Sequence, residues 1–147
     1  MQFNDTQLDA VQQFLQAGNL LAYPTEAVWG IGCDPFNEIA VKQILAIKQR
    51  PIEKGMIVIT GDIAHIQPFL QPLPKQVVDS IAASWQSSDA QATTWLLPIP
   101  ASLQGKIPDW VTGGRDSLAI RVITHPMIAK LCNTIAHADN NNPFGFL

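Results

Sequence analysis

The longest apolar runs of this chain are only long enough for β-strands, and stretches with a helical repeat separate them. Residues 19–23 and 55–59 are the clearest of these runs, and a proline or glycine bounds each. Such runs are far shorter than the roughly 20 apolar residues that a membrane-spanning helix needs. The pattern therefore predicts strands and helices around a core, with no membrane association. At 147 residues, we expect one domain covering residues 1–147.

Composition and charge exclude several classes of protein. Hydrophobic residues make up 47% of the chain, enough for a core, and the net charge of −3 argues against coating nucleic acid by bulk electrostatics. The N-terminus lacks the basic and apolar segments of a signal peptide. Cys33 and Cys132 are too few for a disulfide framework and lack the spacing of metal ligands. We therefore expect a cytoplasmic protein with two reduced, buried cysteines.

Helical periodicity begins near residues 8, 37, 74 and 124. Thr6 and Asp9 have the spacing of a capping box before the first of these helices, and Thr124 can cap the last. Strands are predicted at residues 19–23, 55–60, 95–98 and 118–122, with a further strand just beginning at residues 144–147. The polar stretch 86–93 is predicted to be a surface loop.

Lys48 occupies a position where the second helix should carry an apolar residue. The buried stripe of this helix, residues 41, 44 and 45, continues to position 48, and Pro51 is expected to end the helix. A lysine at such a position can reach out to solvent, pair with a carboxylate, or point into a cleft that holds an anion. Arg50 and Lys54 follow, so three of the nine lysines and arginines lie within seven residues. This cluster suits a polyphosphate, although cations at a helix end also interact favourably with the helix dipole.

Two other polar residues have both a functional and a structural interpretation. Thr25 follows a strand end, where its hydroxyl can bind a carboxylate or phosphate, or can stabilise the turn after Pro24. Arg121 lies on the face of its strand opposite the apolar residues; it suits an anion if that face lines a cleft, and needs no explanation if it meets solvent. Gly30 and Gly32 permit either close approach of a ligand or tight strand packing.

Three blocks of the sequence resemble the YrdC-like family (TsaC), whose members make threonylcarbamoyl-adenylate for modification of tRNA. The blocks are YPTEAVWGIGCD at residues 23–34, KQRPIEKG at 48–55 and SLAIRVITHP at 117–126. They occur in the family's order, and the resemblance covers nearly the whole chain. It implies an α+β fold, in which helices flank a mixed twisted sheet whose concave face holds the ligand.

The resemblance also implies substrates and site residues. Threonine, bicarbonate and ATP with Mg²⁺ would react to give threonylcarbamoyl-AMP and pyrophosphate, with no metal held by the protein itself. Thr25 and Arg121 would bind threonine. Lys48, Arg50, Lys54 and Thr94 would bind ATP, and Lys48 and Arg50 would also be catalytic. The product implies tRNA or tRNA-modification proteins as partners.

The chain departs from the family pattern in two places. Residues 85–92 replace the family's Pro-Gly-Pro-type turn, and a Ser-Thr-Ser-Ala-Asn-type segment would begin about where Leu147 ends. We therefore expect a chain that lacks the family's C-terminal part. Two alternatives follow: an RNA-binding module of the same fold without catalysis, or an inert folded remnant whose terminal strand is left uncovered.

Overall fold

The fold is described from a computed structural model for residues 2–86 and 92–147. Six helices and five strands alternate in this part of the chain. The helices are α1 (Leu8–Gln16), α2 (Glu38–Ile47), α3 (Gln67–Leu70), α4 (Lys75–Gln86), α5 (Asp109–Thr112) and α6 (Pro126–Ala138). The strands are β1 (Leu21–Tyr23), β2 (Gly30–Gly32), β3 (Ile57–Thr60), β4 (Trp95–Pro98) and β5 (Ser117–Val122). Most of the predicted loop at 86–93 and of the family departure at 85–92 lies outside the described residues.

The strands form a hairpin and a mixed sheet. β1 and β2 pair antiparallel, while β5 lies between β3, to which it is parallel, and β4, to which it is antiparallel. Leu147 continues this sheet beyond β3, because it exchanges two backbone hydrogen bonds with Ile59, of 3.2 and 3.0 Å. The predicted α+β fold with a mixed sheet and flanking helices is confirmed.

Strand β5 separates the main core from a more open sheet face. Leu118 and Ile120 are buried in the main core, as their alternation predicts. Arg121 lies opposite Ile59 of β3, so both project from the other face. On that face Ile57 and Leu96 remain 55% and 61% exposed. This second face is accessible around Ile57 and Leu96, whereas Ile59 is buried in a smaller core cluster.

Helix α2 places the predicted cation cluster at its C-terminal end. The side chain of Asn37 accepts a hydrogen bond from the Ala40 amide (3.1 Å), which caps the helix start. The predicted stripe, residues 41, 44 and 45, is buried. The helix ends at Ile47, not near Pro51, because Gln49 adopts a positive φ of 49°. Residues 48–50 therefore lie outside the helix.

The starts of the outer helices differ from the predictions. The Thr6 hydroxyl bonds to the Asn4 side chain, and no side chain caps α1, so the predicted capping box is wrong. Helix α6 begins one residue later than a Thr124 cap would require: His125 is the cap residue and Pro126 the first helical residue. Proline suits that position because its fixed φ is already helical and its missing N–H would have no partner there.

The C-terminal segment is packed into the core. Phe144 and Phe146 stack with their ring centroids 4.9 Å apart, and both are buried, as is Leu147. The expectation of an uncovered terminal strand is therefore wrong. Across residues 2–86 and 92–147, we find no helix with both the length and the apolar character that a membrane crossing requires.

Candidate active site

A cavity of about 390 Å³ lies between the β1–β2 hairpin, the end of α2 and the open face of β3 and β5. Four of the six predicted site residues line it: Thr25, Lys48, Arg50 and Arg121. Within the described ranges, its wall includes three cationic side chains and no aspartate or glutamate. The cavity is therefore suited to an anionic ligand.

Lys48 reaches the cavity as the first residue after α2. It is exposed, and the described part of the chain shows no carboxylate paired with it. Of the three interpretations of Lys48, pairing with a carboxylate is therefore not observed. Extension into solvent and a position in an anion-binding cleft both agree with the structure. The amine is close enough to Cys33 that its charge opposes the rise in the pKa of that thiol.

Arg50 shapes the loop beside the cavity as well as lining it. Its Nε donates a hydrogen bond to the carbonyl of Gly55 (3.0 Å), and its Nη2 donates a longer one to the carbonyl of Lys54 (3.4 Å). Gly55 has a φ of 68°, and a Cβ there would lie 2.9 Å from the carbonyl oxygen of Thr112, so the turn requires glycine. The Arg50 guanidinium therefore also stabilises the turn at Gly55, which the sequence pattern did not reveal.

Lys54 and Thr94 are not among the residues that line the cavity. Lys54 ends a short 3₁₀ turn and is exposed. Thr94 immediately precedes β4. In the antiparallel pairing of β4 with β5, Trp95 lies opposite Ile120, so Thr94 lies opposite the next residue of β5, Arg121. The structure thus brings Lys48 and Arg50 to one wall and leaves ATP contacts by Lys54 and Thr94 as predictions.

Arg121 forms an ion pair with Glu26, which lies 95 residues earlier in the chain. The two side chains are only 18% and 26% exposed. The Nε of Arg121 is buried and has no hydrogen-bond partner among the described residues. The sequence pattern identified Arg121 but not its pairing with Glu26, since local spacing carries no information about contacts over such a separation.

Thr25 organises the loop that carries Glu26. Its hydroxyl donates a hydrogen bond to the carbonyl of Val28 (2.7 Å) and accepts one from the amide of Ala27 (3.0 Å). The turn-stabilising interpretation is therefore confirmed. Because Thr25 also lines the cavity, the same hydroxyl group lies next to any ligand bound there.

Gly30 and Gly32 allow the aromatic ring of Tyr23 to pack against the hairpin. A Cβ at either position would lie within 2.8 Å of that ring. Tight packing therefore requires glycine at both positions, and both glycines also line the cavity. Burial raises the pKa of Tyr23 to about 12, so its hydroxyl stays protonated at neutral pH. Tyr23 also lines the cavity and was missed in the sequence because it resembles an ordinary strand residue.

Trp29 differs from the other tryptophans. Trp85, Trp95 and Trp110 each donate an indole N–H hydrogen bond, to Thr93, Ser84 and Pro35 respectively. Trp29 is 73% exposed and lines the cavity. An aromatic ring is thus accessible at the cavity edge.

Both cysteine thiols are expected to be unreactive in the folded protein. Burial raises the pKa of Cys33 and of Cys132 from 9.0 to about 12, so neither forms the nucleophilic thiolate at pH 8. A disulfide reagent should modify no thiol in the native protein and both after denaturation. Because the folded pKa values are raised, the stabilisation from the protonated thiols is complete below pH 9 and should be lost as the pH rises towards 12. Rapid modification of the native protein would contradict this prediction.

We find no group of three or more His, Cys, Asp or Glu side chains, within the ranges that the structure covers, that could hold a metal ion. The described cavity wall contains no carboxylate or imidazole; its polar side chains are the three cations, the hydroxyls of Tyr23 and Thr25, the thiol of Cys33 and the indole of Trp29.

The sequence and the fold both resemble known proteins. Residues 13–138 match the Sua5/YciO/YrdC family, described as "Telomere recombination". The threonylcarbamoyl-AMP synthase of Psychrobacter cryohalolentis is 50% identical over 139 residues, which are 91% of this chain and 64% of that protein. Sua5 of P. abyssi complexed with L-threonine is 26% identical, with a TM-score of 0.71 over 90% of this chain and 37% of that one. E. coli YciO, 15% identical, shares the fold with a TM-score of 0.71 over 91% of this chain and 61% of its own. The chain thus spans about two thirds of the length of the curated relative.

Proposed function

Because the chain belongs to the Sua5/YciO/YrdC family, we propose that it forms threonylcarbamoyl-AMP from threonine, bicarbonate and ATP, with release of pyrophosphate. The observation that carries this proposal is the composition of the cavity wall. Lys48 and Arg50 lie in it with no carboxylate partner among the described residues, and Thr25 and Arg121 line the same cavity. Lys48 and Arg50 suit phosphates, whereas Thr25 and Arg121 suit a small carboxylate. The name of the Psychrobacter relative, threonylcarbamoyl-AMP synthase, supports the proposed reaction. The L-threonine bound to Sua5 supports threonine as a substrate.

The proposed reaction needs charge stabilisation more than a nucleophilic side chain. Threonine and bicarbonate condense with loss of water to give a carboxylated amine. A carboxylate oxygen of this group attacks the α-phosphorus of ATP while the bond to pyrophosphate breaks. Negative charge then grows on the leaving phosphates. Lys48 and Arg50 can stabilise that charge electrostatically, with no proton transfer required. Thr25 and Arg121 would hold threonine in place, and such positioning contributes to catalysis by itself.

Mg²⁺ belongs in this proposal only as part of the MgATP substrate. No carboxylate lines the described cavity wall, and Mg²⁺ strongly prefers oxygen ligands. Phosphate oxygens and water would therefore coordinate the ion. Lys54 and Thr94, which lie outside the wall, are proposed to contact ATP at the edge of the site.

The proposal predicts release of pyrophosphate that depends on all three substrates. Purified protein should release pyrophosphate from MgATP only when L-threonine and bicarbonate are both present, and omission of either should abolish the signal. The Lys48→Ala variant, purified in the same way and expected to lose activity, is the control for contaminating ATPases. Release that does not depend on threonine, or no binding of either ATP or threonine, would contradict the proposed activity.

The product would serve tRNA modification, so tRNA or tRNA-modification proteins are proposed partners in the cytoplasm. The free, buried cysteines Cys33 and Cys132 agree with a reducing compartment. The RNA-binding alternative is not favoured, because the net charge is −3 and the unpaired cations lie at a small cavity.

A further inference from the structure

We propose that Glu26 is a positioning residue that makes one end of the cavity selective for the carboxylate of threonine and leaves the other end for phosphates. This inference rests on the proposed function and adds to it the residue that separates the two substrates. Its basis is the ion pair between Glu26 and Arg121, the position of that arginine in the cavity wall, and the distribution of charge along the wall.

Glu26 forms an ion pair with Arg121 but does not itself line the cavity. Thr25 and Val28, on both sides of Glu26 in the loop, line the cavity, and so does Arg121. Glu26 is not among the lining residues, so its carboxylate contacts the guanidinium from outside the wall. The hydroxyl of Thr25 fixes the same loop through its two local hydrogen bonds. A rigid turn thus places the carboxylate that orients Arg121.

Because of the ion pair, one cation of the cavity wall has a counter-charge and the other two do not. Arg121 is balanced by Glu26, whereas in the described part of the chain Lys48 and Arg50 have no carboxylate partner. A polyphosphate carries several negative charges and gains most beside uncompensated cations. A free amino acid is a zwitterion without net charge, so it gains more from well-placed hydrogen-bond donors than from excess positive charge.

Arg121 offers such a donor. Its Nη2 donates to Glu26, and its Nε is buried and has no acceptor among the described residues. Because Arg121 lines the cavity and its side chain is 18% exposed, the accessible part of the guanidinium can donate a charge-assisted hydrogen bond to a ligand carboxylate. Because arginine has a long side chain with many rotamers, a fixed partner reduces the entropy that is lost when the carboxylate binds. Glu26 therefore both orients the donor and limits the net charge around it.

The test is Glu26→Gln, which keeps the shape of the side chain but removes its charge. We expect its dissociation constant for L-threonine, measured by calorimetry, to rise about tenfold or more, because Arg121 loses its fixed orientation. The dissociation constant for pyrophosphate should stay equal or fall, because Arg121 becomes an additional uncompensated cation. Lys48→Ala should show the reverse pattern, with weaker pyrophosphate binding and little change for threonine.

Glu38→Gln is the matched control, since Glu38 also forms an ion pair, with Lys42, but on the exposed surface of α2. It should change neither affinity. A Glu26→Gln protein that loses both affinities alike, or neither, would overturn the assignment of Glu26 while leaving the proposed function intact. If the unmodified protein binds neither threonine nor pyrophosphate, the proposed function fails, and the assignment of Glu26 fails with it.

Discussion

Replacing Lys48 with alanine is expected to lower the rate of threonine-dependent pyrophosphate release by about 100-fold or more. An electrostatic contact that strengthens as charge develops in the transition state typically contributes an effect of this size. Lys48 lines the cavity, is exposed and has no carboxylate partner among the described residues. Its loss should therefore remove positive charge from the site without weakening the core.

The control for this experiment lies on the same helix. Lys42 is also exposed, but it pairs with Glu38 and does not line the cavity. Lys42→Ala should keep nearly full activity, and both variants should unfold at about the same temperature as the unmodified protein. Arg50→Ala is expected to lose activity on a similar scale, but its hydrogen bonds to Gly55 and Lys54 mean that it should also lose some stability. Retained activity in Lys48→Ala would mean that the cation cluster is only a solvated helix end.

Replacing Gly145 with alanine is expected to lower the free energy of unfolding by about 3 kcal/mol or more. Gly145 has a φ of 58°, and a Cβ there would lie 2.2 Å from the carbonyl oxygen of Cys132 in α6. The positive φ alone costs about 1 kcal/mol, and overpacking against backbone adds about 1–3 kcal/mol. The strain would displace the buried side chains of Phe144, Phe146 and Leu147, the last of which lines the cavity. Chemical denaturation followed by circular dichroism measures this loss.

Gly114→Ala separates the cost of the positive φ from the cost of overpacking. Gly114 has a φ of 74°, similarly left-handed, but a Cβ there would meet nothing within 4 Å. It should therefore destabilise the protein by only about 1 kcal/mol. Equal losses for Gly114→Ala and Gly145→Ala would show that the terminal segment is not packed against α6 as described.

The local periodicities in the sequence predicted much of the fold. The stripe predicted for α2, residues 41, 44 and 45, is buried, and the bounds of β4 agree with the prediction. These features follow from repeats of about 3.6 and 2 residues, which depend on neighbouring positions alone. The helix caps were predicted less well. The residues around Thr6 and Thr124 have the right chemistry for capping, but the actual helix starts depend on nearby turns.

The candidate site was predicted only in part. The interruption of the α2 stripe identified Lys48 from the sequence, and the resemblance to a family added roles for Thr25 and Arg121. The sequence could not show that Lys54 lies off the cavity wall, that Arg50 also holds the Gly55 turn, or that Tyr23 contributes to the wall.

The sequence by itself determined which segments become helices and strands, and which cations are clustered, because those properties depend on residues close together in the chain. Only the tertiary structure decided that Glu26 meets Arg121 across 95 residues and that the C-terminal segment is buried beside Ile59. The physical reason is that side-chain pairing across the molecule depends on how whole elements pack. That packing is set by the combined burial of many side chains, which no short stretch of sequence records.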